Sequence, residues 1–525
     1  MAHWNGPRQS APIPERAVET TIGFVRPPPL TPRIFMLLLN PTKRLGLLAA
    51  SSLTFFALGC STEEPPVVFE PNLVHTMKYQ IQKEIPMDEA SKDSTWVVKT
   101  MFGTPDAPGL PSVISEDEDL VTLVSLDRLK HASGPTTDQG RGLFRALCAN
   151  CHGITGNGRG KDASVQMPYP RDYRMGIFKF KSTPRGDKPT REDLARLIRD
   201  GISGTNMLPA EKLLETENFR RKQDNEPALT ISKVTEEDIQ ALVDYVMYLS
   251  LRGEHERQQV DMGILEQILE DGERLINSDF GARVVNDKNF KATLEENADK
   301  ENEDLTDEVQ SNLKLYERYQ EDWEYAEEYA AEIAEAWLEG SDAVLKVPDP
   351  PANFPLAESG ADVVSLRSGA QAEEFAASIK RGQELFVGKI ASCSKCHGEK
   401  GLGNGQTTDY DDWTKDWTTR VDLKPENREE LIPLMARGAL PPVNIIPRNF
   451  AEGVFRGGST SKDLYRRITQ GIDGTPMPAA TFVEGQFDPD DVWHLINFIR
   501  SLQTPDSSSE SPKTGAPAQV SSEAS

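Results

Sequence analysis

The chain has 525 residues, and its 58 Lys and Arg against 83 Asp and Glu give a formal net charge of −25. This length predicts two or more domains, and the acidic balance excludes a general nucleic-acid-binding protein, which needs a basic surface. Hydrophobic residues make up 37% of the chain beside 38 Gly and 37 Pro, so we expect loops, linkers or tails beside the folded units.

The first 60 residues have the layout of an N-terminal extension followed by an export signal. A basic pair at 43–44 precedes an uncharged stretch, residues 45–59, which runs directly into Cys60. Positive charge before a short apolar stretch is typical of a secretory signal, and the stretch is too short to span a bilayer comfortably. The sequence therefore predicts export.

The end of this stretch resembles a bacterial lipoprotein signal, which implies cleavage before Cys60 and attachment of lipid to its thiol. The protein would then be anchored in a membrane on the periplasmic side. Ala57 departs from the Leu that such signals usually carry, and the alternative is ordinary cleavage nearby that leaves Cys60 as a free thiol. The residues before Met36 are either a start-site artefact, with translation beginning at Met36, or a true extension.

Four of the five cysteines form two C-x-x-C pairs, and each pair is followed directly by histidine: Cys148, Cys151 and His152, then Cys393, Cys396 and His397. This is the attachment pattern of c-type haem. A zinc site or a redox dithiol is the alternative, but two pairs that both carry His favour haem. Two thiols three residues apart can reach one edge of a planar ring, and the next residue can project towards its centre.

The sequence around the two motifs is repeated. Glycines follow both motifs at similar spacing, as a tightly turning backbone requires. Pro-Arg-Asp-Tyr at 170–173 corresponds to Pro-Arg-Asn-Phe at 447–450, at an offset of 277. A Gly-Ile-x-Gly-Thr-x-Met segment then ends at Met207 and again at Met477, at an offset of 270, because the first copy has seven extra residues before its helix. The chain therefore contains one module twice.

Each module is predicted to begin and end with a helix. Thr235 can cap a helix that has an acidic first turn and an apolar face reaching to about Gly253. Asp488, with Pro at the next position, starts the corresponding helix of the second copy. Three more residues separate Phe386 from Cys393 than separate their counterparts in the first copy, so we expect a distorted helix or a longer turn there.

This arrangement resembles the class I c-type cytochromes, once in residues 135–253 and again in residues 372–503. The resemblance implies an all-α fold with two covalently attached haem c groups. It implies thioether bonds from the four motif cysteines and, as iron ligands, His152, Met207, His397 and Met477. Thioether sulfur is soft enough to favour ferrous iron and so raises the reduction potential. The alternative for both methionines is ordinary core packing.

Other residues near the motifs have less defined roles. Arg171 and Arg448 can pair with haem propionates, because guanidinium groups make fork-shaped contacts with carboxylates, or can be exposed surface residues. Met167 and Met175 are alternative ligands for the first haem, outside the repeat position. Leu208 follows the first matched methionine, where the second copy has proline.

Residues 254–371 are predicted to form an acidic helical insertion between the modules. Residues 254–342 contain 27 acidic and 8 basic residues, a net charge of −19. An apolar stripe predicts a long amphipathic helix over about 302–339, and a second stripe from Val260 to Leu275 can supply its antiparallel partner in a helical hairpin. The insertion either braces the two modules or offers a docking surface for a basic redox partner.

Two further segments have no clear helical pattern. Residues 61–134 mix prolines, acidic residues and short apolar runs, so we expect an irregular lead segment. The Ser-, Pro- and Ala-rich tail at 504–525 is expected to be disordered.

The sequence thus predicts an exported, membrane-tethered dihaem cytochrome c that carries single electrons between redox partner proteins. It would act alone or as a subunit of a respiratory or dehydrogenase complex, and no residue is assigned a catalytic role. The alternative is an enzyme similar to the dihaem cytochrome c peroxidases, in which one haem has an open position. Matched methionines in both copies favour the carrier.

Overall fold

A computed structural model describes residues 67–300, 305–406 and 408–503. Within these ranges the regular structure consists of α-helices and short 3-10 helices, with no β-strand, which confirms the expected all-α fold. Residues 1–60, including the signal segment and Cys60, lie outside the described ranges, as does the tail at 504–525. None of the described helices is long and apolar enough to cross a membrane.

The described part of the lead segment is helical, which corrects the expectation of an irregular segment. Its apolar residues come in adjacent pairs among polar ones, such as Val97 with Val98 and Met101 with Phe102, and these pairs form one buried helical face. The helices of this segment are α1 (Leu73–Lys83), α2 (Asp88–Phe102), α3 (Ser112–Ser115) and α4 (Leu126–Ala132).

The first domain is built around a single long helix that follows the predicted cap. Thr235 and Asp238 form a capping box at its start, as the sequence indicated. The helices of this domain are α5 (Leu143–Leu147), α6 (Ala149–His152), α7 (Arg191–Asp200), α8 (Ala210–Gln223) and α9 (Glu236–Leu265). Buried residues along α9, among them Tyr245 and Tyr248, form the centre of the core.

Helix α9 does not end near Gly253, as predicted, but continues to Leu265. Gly253 lies inside the helix and serves a close approach: a Cβ there would be 2.5 Å from the Cα of Arg174. The glycine therefore reflects helix-to-loop packing rather than helix termination. The boundary predicted after residue 253 falls inside this helix.

The acidic insertion contains the predicted long helix but not the predicted hairpin. Its helices are α10 (Ser278–Asn286), α11 (Lys288–Asn297) and α12 (Asp307–Asp342). Helix α12 begins at the Thr306 cap and is about 54 Å long at ~1.5 Å per residue. The stripe from Val260 to Leu275 forms no second insertion helix, because its first part belongs to α9. Helix α12 packs on α9 and α3, and its rings Tyr319 and Trp323 contact Trp96 of α2.

The second domain repeats the opening and closing helices of the first. Its helices are α13 (Gly360–Ser368), α14 (Ala372–Val387), α15 (Ser394–His397), α16 (Asp412–Asp416), α17 (Arg428–Ala436), α18 (Ser461–Gln470) and α19 (Asp491–Ser501). Helices α14 and α19 cross at Gly382, where a Cβ would lie 2.0 Å from the carbonyl oxygen of His494. The expected longer turn follows α14, with Ser392 at φ +51° directly before Cys393. Helix α19 begins after Asp490 rather than Asp488.

A buried ionic cluster joins the lead segment, the first domain and the second domain. Asp416 on α16 accepts hydrogen bonds from Lys78 on α1, at 3.1 Å, and from both terminal nitrogens of Arg257 on α9, at 3.0 and 3.2 Å. Burial alone would raise the pKa of Asp416, but these two cations hold it well below its usual range. The modules are thus connected directly through α1 and α9.

His255 connects α9 to α12 and predicts an acid sensitivity of the fold. Its ring is fully buried, its Nε2–H donates to the carbonyl of Ala326 at 2.7 Å, and its Nδ1 accepts from Gln259 at 3.1 Å. Burial lowers the pKa of His255 from 6.5 to about 4. Between these values the unfolded chain binds a proton that the folded chain does not, so stability falls as pH drops through this window, by about 3 kcal/mol in total.

The expected result is that His255→Gln flattens the decrease in unfolding free energy between about pH 6.5 and 4, measured by denaturant titration of the haem-loaded protein. His131→Gln is the matched control, because the hydrogen bond to Asp238 raises the pKa of His131. With a raised pKa, His131 is protonated in both the folded and the unfolded chain below about pH 6.5, so its loss should leave the slope between pH 6.5 and 4 unchanged. An unchanged slope in His255→Gln would contradict the buried neutral imidazole.

Candidate cofactor sites

Each C-x-x-C-H motif forms one short helical turn. In the first domain the amides of Cys151 and His152 both donate to the carbonyl of Cys148, at 3.2 and 2.9 Å, and the second domain repeats both bonds from the carbonyl of Cys393. All four motif thiols are free, with no disulfide among the described residues. Both pairs are therefore available for thioether formation.

Both motif histidines are held in the tautomer that iron ligation requires. Nδ1–H of His152 donates to the carbonyl of Arg171 at 3.1 Å, and Nδ1–H of His397 donates to the carbonyl of Arg448 at 3.3 Å. Burial lowers the pKa of His152 to about 4 and also lowers that of His397. Each imidazole is therefore neutral, with the lone pair on Nε2.

The ring of each histidine is fixed by a stacked aromatic side chain from the same repeated segment. Tyr173 stacks on His152 with ring centroids 4.8 Å apart, and Phe450 stacks on His397 at 4.6 Å. The hydroxyl of Tyr173 lies 3.3 Å from Nε2 of His152. These supports were not predicted from the sequence, although the repeated Pro-Arg-Asp-Tyr and Pro-Arg-Asn-Phe segments contain them.

The loops that carry Met207 and Met477 have the same internal hydrogen bonds. In the first, the amide of Ile202 donates to the carbonyl of Met207 at 2.8 Å, and the Thr205 hydroxyl bridges this turn by donating to the Ile202 carbonyl and accepting from the Met207 amide. The second loop repeats all three bonds. The departure at Leu208 does not alter the loop, and both methionines are half-buried.

The arginines of the repeat orient the histidines through their backbone carbonyls, a role additional to the side-chain role expected from the sequence. The Arg171 guanidinium lies 3.3 Å from the ring centroid of Trp413, and burial lowers its pKa to about 10. Nε of Arg448 is buried without a hydrogen-bond partner, which fits the acceptor oxygen of a propionate. Met167 is 64% exposed, a poor position for an axial ligand.

The two sites meet at the contact between the domains, where Trp413 lies between them. Its Nε1–H donates to the carbonyl of Asp172 at 3.2 Å, one residue from the carbonyl that accepts from His152. Its ring packs on Gly474 in the Met477 loop, where a Cβ would lie 2.3 Å from the ring. The support of the first histidine thus contacts the methionine loop of the second domain.

The residues present fit two covalently bound haem c groups. Each domain has two free thiols on one helical turn, a neutral imidazole with its lone pair on Nε2 and a methionine on a hydrogen-bonded loop. Imidazole nitrogen and thioether sulfur are both suitable ligands for haem iron. Among the described residues no group of three or more His, Cys, Asp or Glu is arranged to hold a metal ion directly.

The sequence model of the cytochrome c family matches residues 137–250 and 379–503. No curated protein matches the chain. Among solved structures, a chain of the reducing HAO-like protein complex of Kuenenia stuttgartiensis matches with 19% identity and a TM-score of 0.34, covering 70% of this chain and 99% of that chain. A TM-score this low carries no argument about shared fold or function.

Replacing Cys148 and Cys151 together by serine should reduce the covalently attached haem from two groups per chain to one, because serine oxygen forms no thioether with haem. Mass spectrometry and haem staining of protein from an exporting bacterial host measure the number. Cys60→Ser is the control and should retain both groups. Retention of both in the double serine variant would contradict the assignment of the first motif.

Proposed function

Because the chain carries two cytochrome c domains, we propose that it is an exported, membrane-tethered dihaem protein that carries single electrons between a donor and an acceptor protein. Each domain would hold one haem c, and the contact between the domains would join the site that accepts the electron to the site that releases it. The protein acts as a carrier or as the electron-transfer subunit of a larger respiratory or dehydrogenase complex.

The observation that carries this proposal is the contact through Trp413. It joins the backbone that orients His152 to the loop of Met477 by one hydrogen bond and one ring contact. Reciprocally, Val454 of the second domain packs on Gly204 in the Met207 loop. Domains arranged with their ligand-bearing segments in contact favour electron transfer between the two sites within one chain.

When bound, haem c supplies the one-electron chemistry. The residues of this chain supply the ligands and their orientation. The carbonyls of Arg171 and Arg448 orient His152 and His397 and increase their basicity, and burial keeps both imidazoles neutral. The threonine-braced loops hold Met207 and Met477, so little rearrangement accompanies a change of oxidation state.

Two methionine loops with the same hydrogen bonds favour a carrier over a peroxidase. A dihaem peroxidase needs one haem with an open or displaceable position. Met207 and Met477 lie in equivalent loops, and both loops contain all three of the hydrogen bonds described above. Both sixth positions are therefore expected to be closed.

The haem-loaded protein should show the methionine-to-iron charge-transfer band for both ferric haems, and carbon monoxide should leave the reduced spectrum unchanged. Absorption spectra of the oxidised and reduced protein, followed by addition of carbon monoxide and then peroxide, measure both. A haem that is high-spin, binds carbon monoxide and turns over peroxide would contradict the carrier function and support a peroxidase.

Membrane tethering rests on the sequence pattern before Cys60. Diacylglycerol on this thiol would anchor the chain without a membrane-spanning helix, because it supplies two acyl chains. In an exporting bacterial host, the wild-type chain is expected in the membrane fraction and Cys60→Ser in the soluble fraction, with equal haem content. Equal partition of the two chains would contradict lipidation of Cys60.

A further inference from the structure

The seven extra residues of the first module lie at the contact between the domains. In the second copy Thr460 follows Ser459 and directly caps α18, whereas in the first copy the matching Ser182-Thr183 pair is separated from the cap of α7, Thr190. The six intervening residues, 184–189, together with Thr183 make up the seven-residue loop that the second domain does not have. Sequence comparison of the two copies marks this loop as a difference but gives no function for it.

Arg185 in this loop donates to the methionine loop of the other domain. Its Nη1 lies 3.1 Å from the carbonyl oxygen of Met477 and 3.3 Å from that of Ile472, and its Nη2 lies 3.4 Å from that of Thr475. These carbonyls belong to the turn that places the methionine side chain. The planar guanidinium can serve several acceptors at once in a fixed geometry.

Neighbouring residues of the first domain attach to the same methionine loop. The amide of Gly186 donates to the Asp473 carboxylate at 2.9 Å, and Nζ of Lys181 lies 2.6 Å from that carboxylate. The side chains of Lys181 and Asp473 are only 5% and 14% exposed. A mostly buried ion pair beside the Arg185 contacts fixes where the extra loop lies.

The Met207 loop accepts fewer hydrogen bonds from the second domain than the Met477 loop accepts from the first. Among the described residues, the hydrogen bond from the second domain to residues 201–207 comes from Nη2 of Arg456 to the carbonyl of Gly204, at 3.1 Å. Three carbonyls and one carboxylate of the Met477 loop are bound across the contact. The two sites have the same internal loop but unequal support from the partner domain.

We propose that Arg185 is a positioning residue that holds the Met477 loop from the first domain, so that methionine ligation of the second haem depends on the contact between the domains. This rests on the proposed function, in which Met477 is an iron ligand. A loop held by three additional hydrogen bonds keeps its sulfur in place through both oxidation states. Without these bonds the sulfur of Met477 would be free to dissociate from the iron. The reduction potential of the second haem would then fall, because methionine ligation raises it.

The test compares Arg185→Ala, Arg185→Lys and Arg456→Ala in the full-length, haem-loaded protein. The readouts are the charge-transfer band of each ferric haem, the two reduction potentials and carbon monoxide binding. A chain with Cys393 and Cys396 replaced by serine identifies the signals of the first haem. Thermal unfolding of each variant checks that the fold is retained.

In Arg185→Ala the second haem should lose much of its charge-transfer band, show a lower potential and begin to bind carbon monoxide, while the first haem stays as in the wild type. Arg185→Lys should recover part of the band, because one ammonium group can serve fewer of the three carbonyls. Arg456→Ala should spare the second haem. An Arg185→Ala protein with both haems unchanged would overturn the role of Arg185 and leave the carrier function standing.

A wild-type protein without a methionine band from the second haem would contradict the ligand set itself, and with it both the carrier and this role of Arg185. A band loss that is equal in both haems, accompanied by a lower unfolding temperature, would also overturn the inference, since it would report general loosening. The wild-type spectrum and the variant spectra therefore distinguish failure of the function from failure of the inference.

Discussion

The close approach of Gly253 to Arg174 is the constraint on which the arrangement of the molecule depends. A side chain at this position would collide with the backbone of the loop that supports His152, so the glycine lets α9 continue past the first domain. The continuation carries His255 to α12 and Arg257 to Asp416 of the second domain. One helix thus connects the first core, the acidic insertion and the second module.

The continuation of α9 also forms part of the buried ionic cluster around Asp416, which joins the two domains. Asp416 is 8% exposed and is acceptable there because Lys78 and Arg257 surround it. Removal of one partner of such a buried cluster leaves an uncompensated charge, which is strongly destabilising. The cluster therefore favours one relative position of the two domains, in which Trp413 contacts the carbonyl of Asp172 and Arg185 contacts the Met477 loop. The acidic helix α12 packs on the first domain beside this connection.

Local features of the sites were predictable from the sequence because neighbouring residues determine them. The C-x-x-C-H turns, the Thr235 cap, the longer turn before Cys393 and the equivalent methionine loops follow from short-range hydrogen bonds. The continuation of α9 was not predictable, because Gly253 reads as a helix end unless its neighbour Arg174 is known. The predicted helical hairpin was wrong for the same reason, because the first part of the stripe from Val260 belongs to α9.

The contacts between the modules were also not predictable from the sequence. The carbonyls of Arg171 and Arg448 carry no side-chain signature, so the orientation of both histidines by these carbonyls was not predictable from the sequence. The position of Trp413 depends on how two separately recognisable modules pack together. The internal repeat predicted the two sites. The contacts between them depend on tertiary packing, which the sequence does not display.

The proposed function requires the two sites to exchange electrons within one chain. Rapid reduction of the oxidised, haem-loaded protein by less than one electron per chain, followed by absorption at several protein concentrations, measures this exchange. The electron should redistribute between the two haems at a rate independent of protein concentration. A redistribution rate proportional to protein concentration, or no redistribution between haems of different potential, would contradict it.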